Sequence, residues 1–221
     1  VATGDNFGSL DAFDMVMDAY RPFLSYPGAF VLGSNDYYSP IPKPWTRYLM
    51  RSTPPPARVV PDLPYLPMVR QMRDAGWVDL SNASGTLSLS GGTVSLLGTD
   101  DAHIFRDRMV APASSWEEPG ALRLGITHAP YTRVVSALTS EGADLILAGH
   151  THGGQIGIPG MGAIITNCDI ARHYAKGLNR WEAPDGSQAW LHVSAGLGTS
   201  PHAKVRIATR PEASLIHVHP A

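Results

Sequence analysis

Four times along this chain a short apolar run ends in a tight turn that carries histidine, aspartate or asparagine. The four are Thr3-Gly4-Asp5-Asn6, Leu32-Gly33-Ser34-Asn35-Asp36, Gly125-Ile126-Thr127-His128 and Ala148-Gly149-His150-Thr151-His152-Gly153-Gly154-Gln155. Short apolar runs closed by glycine suit buried strands better than helices. In open α/β sheets, ligand sites gather beyond the carboxyl ends of the strands. Glycine lets the backbone turn sharply there, so side chains from separate strands can converge. Such a chain is constrained to a layered α/β fold with its chemistry along one edge.

The segments between these clusters fit that frame. Apolar spacing over residues 9–23 predicts a helix with Ser9 as N-cap, and residues 29–32 read as a buried strand. A strand, a helix and a strand in that order suggest a parallel unit with a right-handed crossover. Residues 66–75 read as a helix closed by Gly76. Strands are expected over 78–80, 86–89 and 94–98, the last two joined by a Gly91-Gly92 turn. Next come a strand over 122–127, a helix over 131–140 behind Pro130, and a strongly apolar strand over 143–148. Residues 162–166, 190–194, 205–208 and 214–218 read mostly as strands. The expected architecture is α/β, with two mixed sheets packed face to face and helices outside, in a single domain over 1–221.

Composition narrows the function. With 221 residues, 43% hydrophobic and 16% charged, one domain with a sizeable core is affordable. A net charge of −2 gives no overall positive field that would attract nucleic acid. The single cysteine, Cys168, rules out an intrachain disulfide framework and fits a reducing compartment. It reads as a small core residue, because no activating base stands near it in sequence. No apolar run is long enough to span a bilayer. Residues 37–64 differ from the rest: eight prolines and four basic residues (Lys43, Arg47, Arg51, Arg58) stand against one acid, Asp62. This reads as a surface excursion beside the second cluster. Its arginines and aromatics (Tyr37, Tyr38, Trp45, Tyr48) would suit an anionic substrate or an anionic membrane surface.

Imidazole nitrogen and carboxylate or amide oxygen are good donors for borderline divalent cations. A lone Gly-Asp is usually a turn, and a lone apolar-flanked histidine is usually core. Gly149-His150-Thr151-His152-Gly153-Gly154 is more specific. Histidines two apart on an extended segment point to opposite faces, so both serving one site requires a turn between or after them.

That heptapeptide, Gly149 to Gln155, resembles the signature of calcineurin-like metallophosphoesterases, and Gly4-Asp5, the Gly33 cluster and His128 follow the family's order. Val193-Ser194-Ala195-Gly196-Leu197-Gly198, then Arg206 and Glu212, is similar to the end of the bacterial branch. That branch includes membrane-associated phosphoesterases acting on lipid-linked or nucleotide-sugar phosphates. The resemblance implies a four-layer αββα sandwich and two divalent metal ions, manganese, iron or zinc, flanking a hydroxide nucleophile. It implies that Asp5 bridges the two ions. His152 would belong to the first ion, and His128 and His150 to the second, with an amide oxygen from the Gly33 cluster.

Two departures stand out. The family's Asp-x-His motif is absent ahead of Gly4-Asp5, and the chain opens on Val1. The motif is expected upstream, and without it the first ion would keep only Asp5 and His152, leaving the chain weakly active or inactive. The family pattern Gly-Asn-His-Asp reads here Gly33-Ser34-Asn35-Asp36, so either Asn35 or Ser34 takes the ligand position, Asn35 being the better neutral donor. The family's histidine at the leaving group is lost with it. His103, in Thr99-Asp100-Asp101-Ala102-His103, is the proposed replacement, oriented by Asp101 or Asp100. The expected substrate is a phosphorylated small molecule or lipid-linked phosphate, not nucleic acid. The expected location is cytoplasmic or peripheral to the membrane.

Overall fold

The computed structural model describes residues 1–40, 60–200 and 205–219. Its centre is a six-stranded mixed sheet. The strands are β3 (Ala83–Leu89), β4 (Gly92–Gly98), β5 (Leu122–Ile126), β6 (Leu145–Ala148), β9 (Gly177–Glu182) and β10 (Gln188–Val193), in the order β3-β4-β5-β6-β10-β9. The inner pairs β4–β5, β5–β6 and β6–β10 are parallel, and both edge pairs are antiparallel. A smaller parallel pair, β1 (Ala29–Phe30) and β2 (Val78–Asp79), is extended by a parallel bridge from Ala2 to Phe30. A further antiparallel pair, β7 (Gly157–Ile158) and β8 (Gly162–Ala163), lies outside both.

The side-chain alternation of strands explains how these pieces stack. Ala29 and Val31 point one way and pack, with Leu80 just past β2, against Leu96, Leu124, Ile126 and Leu145 of the large sheet. Phe30 and Leu32 point the other way, onto helices α1 (Phe13–Tyr20) and α3 (Tyr65–Asp74) through Val16, Met17, Met68 and Met72. The far face of the large sheet, through Leu97, Ile146, Leu191 and Val193, buries Val134, Val135 and Leu138 of α4 (Thr132–Ser140). The layers therefore run helices, small sheet, large sheet, helix, as expected. Each fully buried Leu, Ile or Met contributes roughly 1.5–3 kcal/mol by leaving water, so the three clusters carry the fold.

Several local expectations shift. Helix α1 starts at Phe13, and its N-cap, Ala12, has no side-chain cap; the Ser9 carbonyl instead accepts the Ala12 N–H. Leu89 pairs with Gly92, so the hairpin turn is Ser90-Gly91, one residue earlier than expected. Strand β9 was not foreseen; the Asp185-Gly186 turn between β9 and β10 was its signal. No strand forms over 214–218, and Ile207 makes only an isolated bridge to Ile156. In the proline-rich segment, residues 41–59, with Lys43, Trp45, Arg47, Tyr48, Arg51 and Arg58, lie outside the described residues. Tyr37 and Tyr38 are buried core residues and not surface aromatics. Among the described residues no helix is long and apolar enough to cross a membrane.

Candidate metal centre

All four polar clusters meet at the carboxyl ends of the parallel strands. Ala2 hydrogen-bonds Ala29 and Val31, which sets Gly4-Asp5-Asn6 beside the end of the Ala29–Leu32 run. His128 lies two residues past β5 and His150 two residues past β6, and these strands are adjacent. One ligand atom each from Asp5, His128 and His150 fall within 4.8 Å of one another. Within the cluster, His128 Nε2 is 3.1 Å from His150 Nδ1 and 3.4 Å from Asp5 Oδ2. His128 Nδ1 is 2.6 Å from the Thr3 carbonyl, an orienting partner of the kind metal-binding histidines use. His150 Nε2 is 3.2 Å from the Asn167 carbonyl.

Asn35 is drawn into the cluster by Asp5: its backbone N–H and its side-chain amide each donate to the Asp5 carboxylate at 2.8 Å. The residue that builds this corner is one the sequence did not single out, Asp36. Its fully buried carboxylate accepts the backbone N–H groups of Asp5 (2.9 Å), Asn6 (2.7 Å) and Gly33 (2.8 Å). The available signal was the Gly-x-x-Asp spacing, in which an acid three residues past the N-cap of the short helix α2 (Ser34–Tyr37) accepts the N-cap N–H. The glycines beside it are steric requirements. A Cβ on Gly33 would sit 2.3 Å from Asp5 Oδ1, and one on Gly4 would sit 2.5 Å from the Gly33 nitrogen.

Backbone strain concentrates here. Asp5 (φ 58°), His150 (φ 65°), His152 (φ 50°) and Asn167 (φ 58°) all hold left-handed conformations, which are uncommon for non-glycine residues and cluster at functional sites. The turn expected between or after the paired histidines is made at the histidines themselves.

The electrostatics are those of a tightly packed set of donors. Burial would lower the His128 imidazole, but Asp5 and Asp101 overcome it and raise it to about 10. Burial would raise Asp5, yet His128 and His150 hold its carboxyl well below the usual range. Burial, reinforced by His103 and His128, pushes His150 down and keeps it neutral. Asp101 is fully buried and raised to about 7, by desolvation first, with Asp5 and Asp100 adding to it and His128 opposing. Its Oδ1 accepts the His103 backbone N–H at 2.8 Å, while Oδ2 has no hydrogen-bond partner among the described residues. A carboxylate and two converging imidazoles are a donor set that suits one divalent cation.

The remaining expected residues fall nearby. His152 stands outside the three-residue cluster; its imidazole meets the Gly198 backbone, and burial lowers it to about 4, with Asp5 opposing and Arg206 reinforcing. The His103 ring lies 4.7 Å, centre to centre, from that of His150. The expected orienting acids are engaged elsewhere: Asp101 holds the His103 backbone, and Asp100 accepts the Tyr37 hydroxyl and Arg106 Nε. The imidazole's Nδ1 instead lies 3.0 Å from the Tyr131 hydroxyl, a partner the sequence reading missed because it is 28 residues away. Cys168 is half-buried, and burial raises its thiol to about 11.

No family model matches the chain. Two curated relatives do. It is 27% identical over 147 residues to phosphodiesterase YaeI of Escherichia coli strain K12, covering 66% of this chain and 49% of that protein. It is also 27% identical over 145 residues to the uncharacterized metallophosphoesterase YkoQ of Bacillus subtilis strain 168, covering 65% of this chain and 50% of that protein. The match spans about half the length of these relatives. The chain is thus similar to proteins named as a phosphodiesterase and a metallophosphoesterase, and the layered fold and the Asp5–His128–His150 cluster agree with that likeness.

Proposed function

We propose that the protein is a metal-dependent hydrolase of phosphate mono- or diesters. The observation that carries this reading is the convergence of Asp5, His128 and His150 within 4.8 Å at the ends of neighbouring strands. In this reading those three residues hold one divalent cation, with Asn35, rather than Ser34, at its side because both Asn35 donors are aimed at Asp5. A second cation would use Asp5 and His152. A bound divalent cation supplies a Lewis acid for the phosphoryl oxygens and a hydroxide at neutral pH. Manganese, iron and zinc all suit the nitrogen and oxygen donors.

The chain's own groups then position and protonate. Thr3 and Asn167 carbonyls orient His128 and His150, and Asp36 fixes the Asp5 peptide. His103, braced by Tyr131, borders the cluster and is the group suited to donate a hydrogen bond or proton to a leaving group. The substrate is read as a phosphorylated small molecule or lipid-linked phosphate, met in the cytoplasm or at a membrane surface, and not a nucleic acid. Hydrolysis of bis-(p-nitrophenyl) phosphate by the full-length gene product with Mn²⁺ tests the reading. Chelator-sensitive turnover is expected. A folded, metal-loaded protein with no turnover would point to a degenerate metal-binding relative, and turnover of carboxylic esters alone would point to a different hydrolase.

A further inference from the structure

The turn that carries His150 and His152 is strained, and something must hold it. Residues 205–209 cross it as a strap. Gly157 N–H donates to the Ile207 carbonyl, and Ile207 N–H donates to the Gln155 carbonyl, both at 2.9 Å. Gln155 Nε2 donates to the Val205 carbonyl at 3.1 Å, and Thr209 Oγ1 to the Gly153 carbonyl at 3.3 Å. The strap sits so close that a Cβ on Gly153 would lie 2.6 Å from Thr209 Cγ2.

Arg206 is the central tie. Its Nη1 donates to the His152 carbonyl at 3.1 Å. Its Nη2 donates to the carbonyls of Ala195 (2.8 Å), Gly196 (3.0 Å) and Gly198, and its Nε to Gly198 at 3.1 Å. Gly198 is also the backbone partner of the His152 imidazole. One planar guanidinium therefore fixes both the peptide of His152 and the loop its ring leans on. Lysine has no rigid fork that could span these carbonyls.

We propose that Arg206 is a positioning residue: it locks the His152 peptide in its left-handed conformation and so aims the imidazole at the metal centre. The proposal rests on the metal-binding reading for its consequence, but not for its geometry, and the test separates the two. In the metal-free full-length protein, Arg206→Gln should raise amide hydrogen exchange over residues 149–156 by tenfold or more. Exchange in β5, β6 and α4 should stay unchanged. Unchanged exchange over 149–156 would overturn the proposal whether or not the protein binds metal.

In the metal-loaded protein, the Co²⁺ absorption spectrum and the Mn²⁺ binding isotherm provide the second arm. Arg206→Gln should weaken Mn²⁺ binding about tenfold or more and change the Co²⁺ bands, and Arg206→Lys should recover little of either. Against a His152→Ala background, Arg206→Gln should have no further effect, because it acts through His152. An additive loss in that double variant would overturn the assignment. A wild-type protein that binds no metal would instead refute the metal-binding reading, leaving the exchange result to decide the geometry.

Discussion

Asp101→Asn is the perturbation whose outcome can be worked furthest. The Asp101 carboxyl is fully buried, one of its oxygens has no hydrogen-bond partner among the described residues, and it is raised to about 7. An ordinary aspartate ionises near 4, so the fold favours the protonated form. The sign follows directly. A group raised on folding contributes its stability below the unfolded value, and loses it as pH climbs towards the folded one. The displacement from about 4 to about 7 corresponds to roughly 4 kcal/mol between those limits, of which about half, about 2 kcal/mol, survives relaxation and water entry. Asparagine keeps the shape and does not titrate. In metal-free protein with chelator present, urea unfolding should show the stability of Asp101→Asn relative to wild type rising by about 2 kcal/mol from pH 4 to pH 8. With metal bound, the cation's charge favours the carboxylate and the pH-dependent advantage should shrink. A stability difference independent of pH in the metal-free protein would refute the reasoning, since it would mean that Asp101 is not buried as an acid beside Asp5.

Two further outcomes test other parts of the site. Gly33→Ala would put a methyl group 2.3 Å from Asp5 Oδ1 and 2.8 Å from His128 Cε1, so the turn must move. Mn²⁺ affinity should fall at least tenfold, with far-ultraviolet circular dichroism unchanged; wild-type affinity would show that the corner tolerates a side chain. Cys168, raised to about 11, should hold about 100-fold less thiolate at pH 8 than a free cysteine, so its alkylation by iodoacetamide should be slower by a similar factor. Labelling at the rate of the urea-unfolded chain would contradict its burial.

The layers and the polar clusters at the strand ends were legible because each rests on a local pattern. An apolar run such as Leu145 to Ala148 is a strand, and glycine followed by histidine or aspartate at its end marks a turn with a donor. What the sequence hid depends on distance along the chain. Tyr131 meets His103 across 28 residues, and Asp36 gathers backbone groups some 30 residues away. No spacing rule reports such pairs. Strand β9 was obscured because its exposed positions, Leu178, Arg180 and Glu182, carry no clean apolar alternation, and only Trp181 is buried. Residues 214–218 failed in the opposite way: Leu215 and Val218 suit a strand, but both are exposed, and β propensity without a partner strand does not make a sheet.

The claim on which the rest depends is that Asp5, His128 and His150 hold a divalent cation. Elemental analysis and Mn²⁺ or Zn²⁺ titration of the folded, chelator-stripped protein measure it directly. The account predicts at least one equivalent bound by the wild-type protein, and loss of that equivalent in Asp5→Asn and His150→Ala variants that still unfold cooperatively. A folded wild-type protein with no bound metal, or variants that bind as tightly as wild type, would contradict it.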